Sequence, residues 1–277
     1  MSLMWKLLAT TILLSSIANA QDASDKVEDF LTEQFEENTR LKDVEVNVDS
    51  VKPLDDVKGW SAYIVNVEAK LKSKPKDVIR QKMVWFSDGD MITKDLTNMM
   101  TGEMLSLTIK PDFKAEYYKK DNLIYGDKNA KYKIAIFSDP LCPFCKKYVP
   151  GALKDMKKDP KKYAVYYYHF PLERLHPASV TLVKAAVAAE QKGIKDVVLK
   201  MYAVKVNPRE KDVKKILEAF NKAVGSDITE KEIATKEVKD QIKFDNDVAI
   251  NVMVGGTPTV YLDGKLDITK KKYLKVR

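Results

Sequence analysis

The sequence predicts two domains of different class, an α+β module over 21–110 and an α/β layered domain over 129–277. Three observations carry this expectation. A chain of 277 residues exceeds one typical domain. Its first part shows one stretch of helical apolar spacing followed by strand-like alternation, whereas its second part runs strand, helix, strand, helical block and hairpin. The only two cysteines, Cys142 and Cys145, stand together as one Cys-x-x-Cys directly after an apolar strand-like segment.

The N-terminus reads as an export signal over 1–20. Lys6 supplies positive charge, Leu7 to Ile17 form an apolar stretch, and Ala18-Asn19-Ala20 offers a small-x-small cleavage site, so a mature chain is expected to begin at Gln21. That apolar stretch is short for a membrane span, and no later segment supplies about 18 consecutive apolar residues. Ala23 to Thr39 places Val27, Phe30, Leu31 and Phe35 at helical spacing, which predicts an amphipathic opening helix. Val44, Val46 and Val48 then alternate with polar residues, Tyr63, Val65 and Val67 do so again, and Met83 to Phe86 leads into a turn at Ser87-Asp88-Gly89. A helix on a few antiparallel strands, with no nucleophile or titratable cluster, is expected to be a structural platform for dimerisation or substrate holding. Residues 111–128 are expected to form a linker, helical from Asp112 to Lys120.

Tyr132 to Phe137 predicts a short buried strand leading into the Cys-x-x-Cys helix, which Pro150 should kink because it lacks an N–H. Tyr163 to Phe170 predicts the next strand, with its aromatic face in the core. The pattern is helical from Pro177 to Met253, and Thr259 to Leu262 returns to strand before an Asp263-Gly264 hairpin turn.

The formal net charge is +8, to which the export signal contributes Lys6 alone. The excess is scattered among acidic residues on expected helices, as in Glu210 to Lys215, which describes a solvated face and excludes a nucleic-acid groove. Neither a Gly-rich phosphate loop nor arginine interleaved with aromatics is present. A structural zinc site wants four ligands, and only His169 and His176 could join the cysteines, at a spacing wider than zinc sites use. No metal or other cofactor is expected. Export would place the cysteine pair in an oxidising compartment, where an isolated Cys-x-x-Cys is redox-active more often than metal-bound. Two thiols three positions apart in the first turn of a helix can close a small disulfide, and the partial positive charge of the helix N-terminus stabilises the thiolate of the outer one. Cys142 is then the nucleophile and Cys145 the resolving thiol. His169 and His176 are expected to be packing or helix-start residues, and Asp139 a turn residue that could also tune the outer thiol.

Three segments of the second part resemble the thioredoxin-fold Dsb proteins. The first is Phe137-Ser138-Asp139-Pro140-Leu141-Cys142-Pro143-Phe144-Cys145 with Pro150 behind it. The second is Gly256-Thr257-Pro258-Thr259, similar to the loop that holds the family's cis-proline beside the cysteines. The third is Tyr168 to Leu172 followed by Leu175-His176-Pro177, similar to the start of the helical insertion of Dsb proteins. The resemblance covers Lys131 to Asp267 and implies a thioredoxin fold with a helical insertion over about 177–253.

Within that family, DsbC- and DsbG-like proteins carry an N-terminal dimerisation domain, an apolar residue six positions before the first cysteine, an aspartate three before it and a threonine ahead of the cis-proline. The first module, Ile136, Asp139 and Thr257 match those features. The resemblance therefore implies a cystatin-like N-terminal dimerisation domain, a homodimer, a periplasmic location, and disulfide isomerase or reductase activity on unfolded or misfolded exported proteins. It further implies substrate contacts at Pro143, Phe144, Thr257 and Pro258 and a membrane redox partner protein. DsbA-like oxidases resemble each other in a Pro-His pair between the cysteines, and Pro143-Phe144 offers no such charge, which implies a milder oxidant. A DsbA-like dithiol oxidase, or a dimer of mixed oxidase and isomerase character, is the alternative implied by the third segment. A non-redox chaperone is the remaining one.

Overall fold

The computed structural model describes residues 22–276, so the expected export signal lies outside the described residues. The chain divides between Pro111 and Asp112 into two units.

Helix α1 (22–36) opens the first unit. It is followed by β1 (Leu41–Pro53), β2 (Ser61–Leu71), β3 (Lys74–Ser87) and β4 (Ile92–Thr93), antiparallel in the order β1-β2-β3-β4. The period-2 pattern sets one face of this sheet. Val46 pairs with Val67, Val48 with Val65 and Tyr63 with Trp85, and that face packs on Val27 and Leu31 of α1. Phe30, off that stripe, is 42% exposed. The helix stops at 36 and does not run to Thr39, because Asn38 turns the chain out, its amide on the Phe35 carbonyl and its side chain accepting the Arg40 N–H. A single turn, α2 (Leu105–Thr108), lies near the end of the unit.

The second unit holds a sheet of order β5-β7-β6-β8-β9, built from β5 (Leu123–Tyr125), β6 (Tyr132–Ser138), β7 (Tyr163–His169), β8 (Thr259–Leu262) and β9 (Lys265–Leu266). β6 and β7 are parallel and the other neighbours antiparallel. A parallel pair needs a crossover, and α3 (Pro143–Met156) supplies it, continuing through Pro150. Both faces of the central strands are covered, which is why β6 and β7 are apolar or aromatic at nearly every position. Ile134, Ile136, Val165 and Tyr167 pack with α3, α4 (Pro177–Gln191), α5 (Val197–Met201) and α6 (Val213–Val224). Ala135, Phe137, Tyr166 and Tyr168 pack on the other side with the C-terminal half of α7 (Lys236–Asn251). The β8–β9 hairpin turns at Asp263 and Gly264, whose φ angles of 46° and 82° suit that dipeptide.

Expectations for two segments are corrected. Residues 111–128 are not a free linker: Phe113 and Tyr117 are core residues of the second unit, Asn122 is buried, and β5 adds an edge strand beside β7. In place of a helix over Asp112 to Lys120 there are two 3-10 turns, Ala115–Tyr117 and Lys120–Asn122. The block 177–253 is not helical throughout. Gly193 and Gly225 take left-handed φ values of 78° and 74° just past α4 and α6, and Pro208 lies in the irregular stretch between α5 and α6.

Gly126 follows β5 with a φ of 82°, and a Cβ there would stand 1.9 Å from the Tyr163 carbonyl oxygen. Gly126→Ala is therefore expected to destabilise the protein by about 2–4 kcal/mol, seen as a lowered urea midpoint. An unchanged midpoint would mean that the β5 edge opens independently of the core.

Candidate active site

At the end of β6 the chain turns through Ser138, Asp139, Pro140 and Leu141, and Cys142 occupies the N-cap of α3 with Pro143 at its first position. Proline suits that position because its fixed φ is helical and its missing N–H would have no partner there. No side chain caps the helix, so the first-turn N–H groups present their partial positive charge to whatever sits at Cys142. Both cysteines are free thiols. Cys145 is fully buried, and Cys142, expected as the outer cysteine, is only 4% exposed, because the loop before β8 covers it. The Cys142 thiol donates to the Thr257 carbonyl at 3.6 Å. The Thr257–Pro258 peptide is cis. Pro258 is buried and Thr257 half-buried. Pro143 is exposed, and Phe144 is 73% exposed, an uncovered aromatic ring beside the thiols. The structure thus brings Cys142 and Thr257 into direct contact, buries Cys145 one turn further along α3, and leaves the Pro143-Phe144 pair at the rim.

Asp139 is more than a turn residue. Its carboxylate is fully buried. One oxygen accepts the N–H of Leu141 at 2.6 Å, the N–H of Cys142 at 3.1 Å and the Ser179 hydroxyl at 2.7 Å. The other accepts the Leu172 N–H at 2.7 Å and faces His176 Nδ1 at 3.2 Å. A single side chain therefore ties the cysteine turn to the loop before α4 and to the first turn of α4. His176, at the N-cap of α4, is a helix-start residue as expected.

Beneath Cys145 lies a row of hydroxyls that sequence reasoning did not find. Ser138 Oγ is 2.6 Å from the Tyr202 hydroxyl, which is 2.8 Å from the Tyr167 hydroxyl. Burial pushes the Cys145 thiol up to about 11, and the Ser138 and Thr257 hydroxyls and the Asp139 backbone pull against it. The Thr257 hydroxyl is buried with no hydrogen-bond partner. Burial also raises Tyr202 and Tyr167, so both are neutral donors at any physiological pH. No local sequence signal joins Tyr202, on the far side of α4, to Ser138.

A second buried polar group closes β7. Asp245 accepts from Asn122 Nδ2 at 2.7 Å, Gln241 Nε2 at 2.9 Å and the His169 N–H at 2.9 Å. Burial opposes charge on His169, yet the Glu190 hydrogen bond and the Glu190 and Asp245 charges hold its pKa above the ordinary value. Burial raises the Asp245 carboxyl to about 6, with His169 and the three donors pulling it down. A carboxyl whose folded pKa lies above its unfolded one contributes its stability in full below about pH 4 and loses it as pH rises through about 6. The Tm gap between the native protein and Asp245→Ala is expected to narrow over that interval. A gap constant from pH 4 to 7 would refute it.

Among the described residues no group of three or more His, Cys, Asp or Glu side chains could hold a metal ion, and no helix is long and apolar enough to cross a membrane. A cleft of about 370 Å³ opens at the opposite end of α3, lined by Leu153, Lys157, Val187 and Val197, away from the thiols.

A family model described as thioredoxin matches residues 119–276. Similar solved structures include the catalytic domain of ScsC from Proteus mirabilis, at 20% identity and TM-score 0.45 over 57% of this chain and 90% of that one. Oxidised BdbD from Bacillus subtilis is similar at 17% identity and TM-score 0.46 over 61% of this chain and 99% of that one. The thiol-disulfide exchange protein alpha-DsbA2 from Wolbachia pipientis is similar at 20% identity and TM-score 0.47 over 60% and 92%. No curated protein matches the sequence.

Proposed function

The chain belongs to the thioredoxin family, and from that premise we propose that it is a thiol-disulfide oxidoreductase of exported proteins, working as a disulfide isomerase and reductase through Cys142 and Cys145. The observation that carries the proposal is the placement of Cys142 at the uncapped N-terminus of α3, with its sulfur against the Thr257 carbonyl and Cys145 one turn below.

In the reduced protein the Cys142 thiolate, facing the positive end of α3, attacks one sulfur of a wrong disulfide. A bond forms between Cys142 and that sulfur, the old disulfide breaks, and its second sulfur leaves as a thiolate. A substrate thiol then attacks the mixed disulfide and completes an isomerisation, or Cys145 attacks Cys142 and completes a reduction. Pro143 and Phe144 supply apolar contact for an unfolded chain, and the Thr257-Pro258 loop supplies backbone partners. The first unit dimerises the protein so that two thiol sites face one substrate, the location is periplasmic, and a membrane redox partner returns the pair to the reduced state. The uncharged Pro143-Phe144 dipeptide and Thr257 before Pro258 favour this direction over disulfide donation.

Scrambled ribonuclease should recover activity when the reduced protein is added in catalytic amount. If the protein instead accelerates only the oxidation of fully reduced ribonuclease, it is a disulfide donor and the isomerase assignment fails.

A further inference from the structure

We propose that the Ser138-Tyr202-Tyr167 hydroxyl row is the device that lets the buried Cys145 carry negative charge while it resolves the mixed disulfide. The inference rests on the exchange chemistry proposed above and concerns its second step only.

The problem for that step is physical. Cys145 is fully buried, and a thiolate there is costly unless donors reach it. The buried carboxylate at the cysteine turn, Asp139, is committed: five groups already occupy its two oxygens. The ionisable groups whose charge acts on Cys145 or on the row are Cys142, Asp139 and the two tyrosines themselves. What remains are neutral hydroxyls. Cys145 packs in one core with Tyr167 and Tyr202, and Ser138, at the end of β6, and Thr257, in the loop before β8, both favour its ionised form. Behind Ser138 stand Tyr202, just past α5, and Tyr167 on β7, at 2.6 and 2.8 Å in sequence. All three side chains are buried.

Such a row works in both directions. With Cys145 as a thiol, its S–H points to Ser138 and each hydroxyl donates onward. With Cys145 as a thiolate, the three hydroxyls rotate, Tyr167 donating to Tyr202, Tyr202 to Ser138 and Ser138 to the sulfur. Hydroxyls aligned head to tail polarise one another, so the last donor is stronger than an isolated serine. In the step itself, Cys145 Sγ forms its bond to Cys142 Sγ, the electron pair of the mixed disulfide leaves on the substrate sulfur, and that sulfur ends with the proton Cys145 gave up. The row holds the charge in between and is itself unchanged. Ser138 is the end of the row that turns to the sulfur, and Tyr202 and Tyr167 are positioning residues that act through it. Tyr202 belongs to the helical insertion, which gives the insertion a part in the chemistry.

The test is stopped-flow release of thionitrobenzoate when the reduced, full-length protein meets the dithionitrobenzoate disulfide. The first equivalent reports attack by Cys142 and the second reports resolution by Cys145. Tyr202→Phe, which keeps the ring, should leave the first phase within about twofold, slow the second about tenfold and move its pH midpoint upward. Tyr167→Phe should do the same more weakly, and Ser138→Ala more strongly. A second phase of native rate and midpoint in Tyr202→Phe overturns the inference. Absence of two phases in the native protein instead overturns the exchange chemistry beneath it. Should the variants not fold, the native protein decides, since the Tyr202 and Tyr167 ring carbons bearing the hydroxyls should shift on a carbon-13 spectrum as Cys145 ionises, and flat resonances overturn the inference equally.

Discussion

Replacement of Cys142 by alanine is expected to reduce insulin reduction and ribonuclease isomerisation to the uncatalysed rate, a loss of about 10³-fold or more. Cys142 and Cys145 are the only thiols of the chain, and only the first has both a helix N-terminus facing its sulfur and a loop carbonyl against it. Cys145, fully buried, cannot meet a substrate disulfide in its place. The variant should fold, since alanine fills most of the cysteine volume and only one long sulfur hydrogen bond is lost. Cys145→Ala should behave differently, performing the attack but failing the release, and so should accumulate covalent complexes with substrates visible on non-reducing gels. Retention of a tenth of native turnover by Cys142→Ala would sink the assignment of the nucleophile.

The second large effect is structural. Asp139→Ala would leave the amides of Leu141, Cys142 and Leu172, the Ser179 hydroxyl and the His176 ring without their acceptor. Unsatisfied buried donors cost about 1–3 kcal/mol each, and the cavity adds to this, although water entering the site recovers part. A net loss on the order of 4 kcal/mol follows, about 10 °C in Tm for a unit of this size. Asp139→Asn keeps the volume but turns one oxygen into a donor facing donors, so it should fall between the two. Calorimetry measures the loss, and the rate of the first thionitrobenzoate phase shows whether Cys142 is still held. A Tm within about 2 °C of native for Asp139→Ala would mean that the ties at Asp139 add nothing to the fold.

How far the sequence foretells this molecule depends on whether a feature is local. The thioredoxin fold of the second unit was legible because β6 and β7 are unbroken apolar and aromatic runs, and because Pro143 after Cys142 marks a helix start. The Thr257-Pro258 loop was legible as a pattern. Phe113 and Tyr117 were not, since Lys114, Glu116, Lys119 and Lys120 surround them and make a core-contacting segment look solvated. The breaks within 177–253 carried signals in Gly193, Pro208 and Gly225 that the surrounding helical periodicity outweighed. Asp139 stood out as a turn residue, but the number of its donors depends on where Leu172, His176 and Ser179 arrive. Tyr202 and Asp245 had no signal at all, because the partners that matter, Ser138 and Tyr167 for one and Asn122 and His169 for the other, lie far back in the chain.

The contact between Cys142 and Thr257 spans 115 residues, and β8 reaches the sheet only through β6. A loop of that length closes late, since the entropy of joining its ends is repaid only after the intervening helices have packed. The thiols therefore wait in the folding chain for the segment that shelters them. For that interval they are two ordinary exposed cysteines, open to wrong pairings. Completion of the fold and acquisition of controlled reactivity are thus one event, timed by the arrival of the last strands.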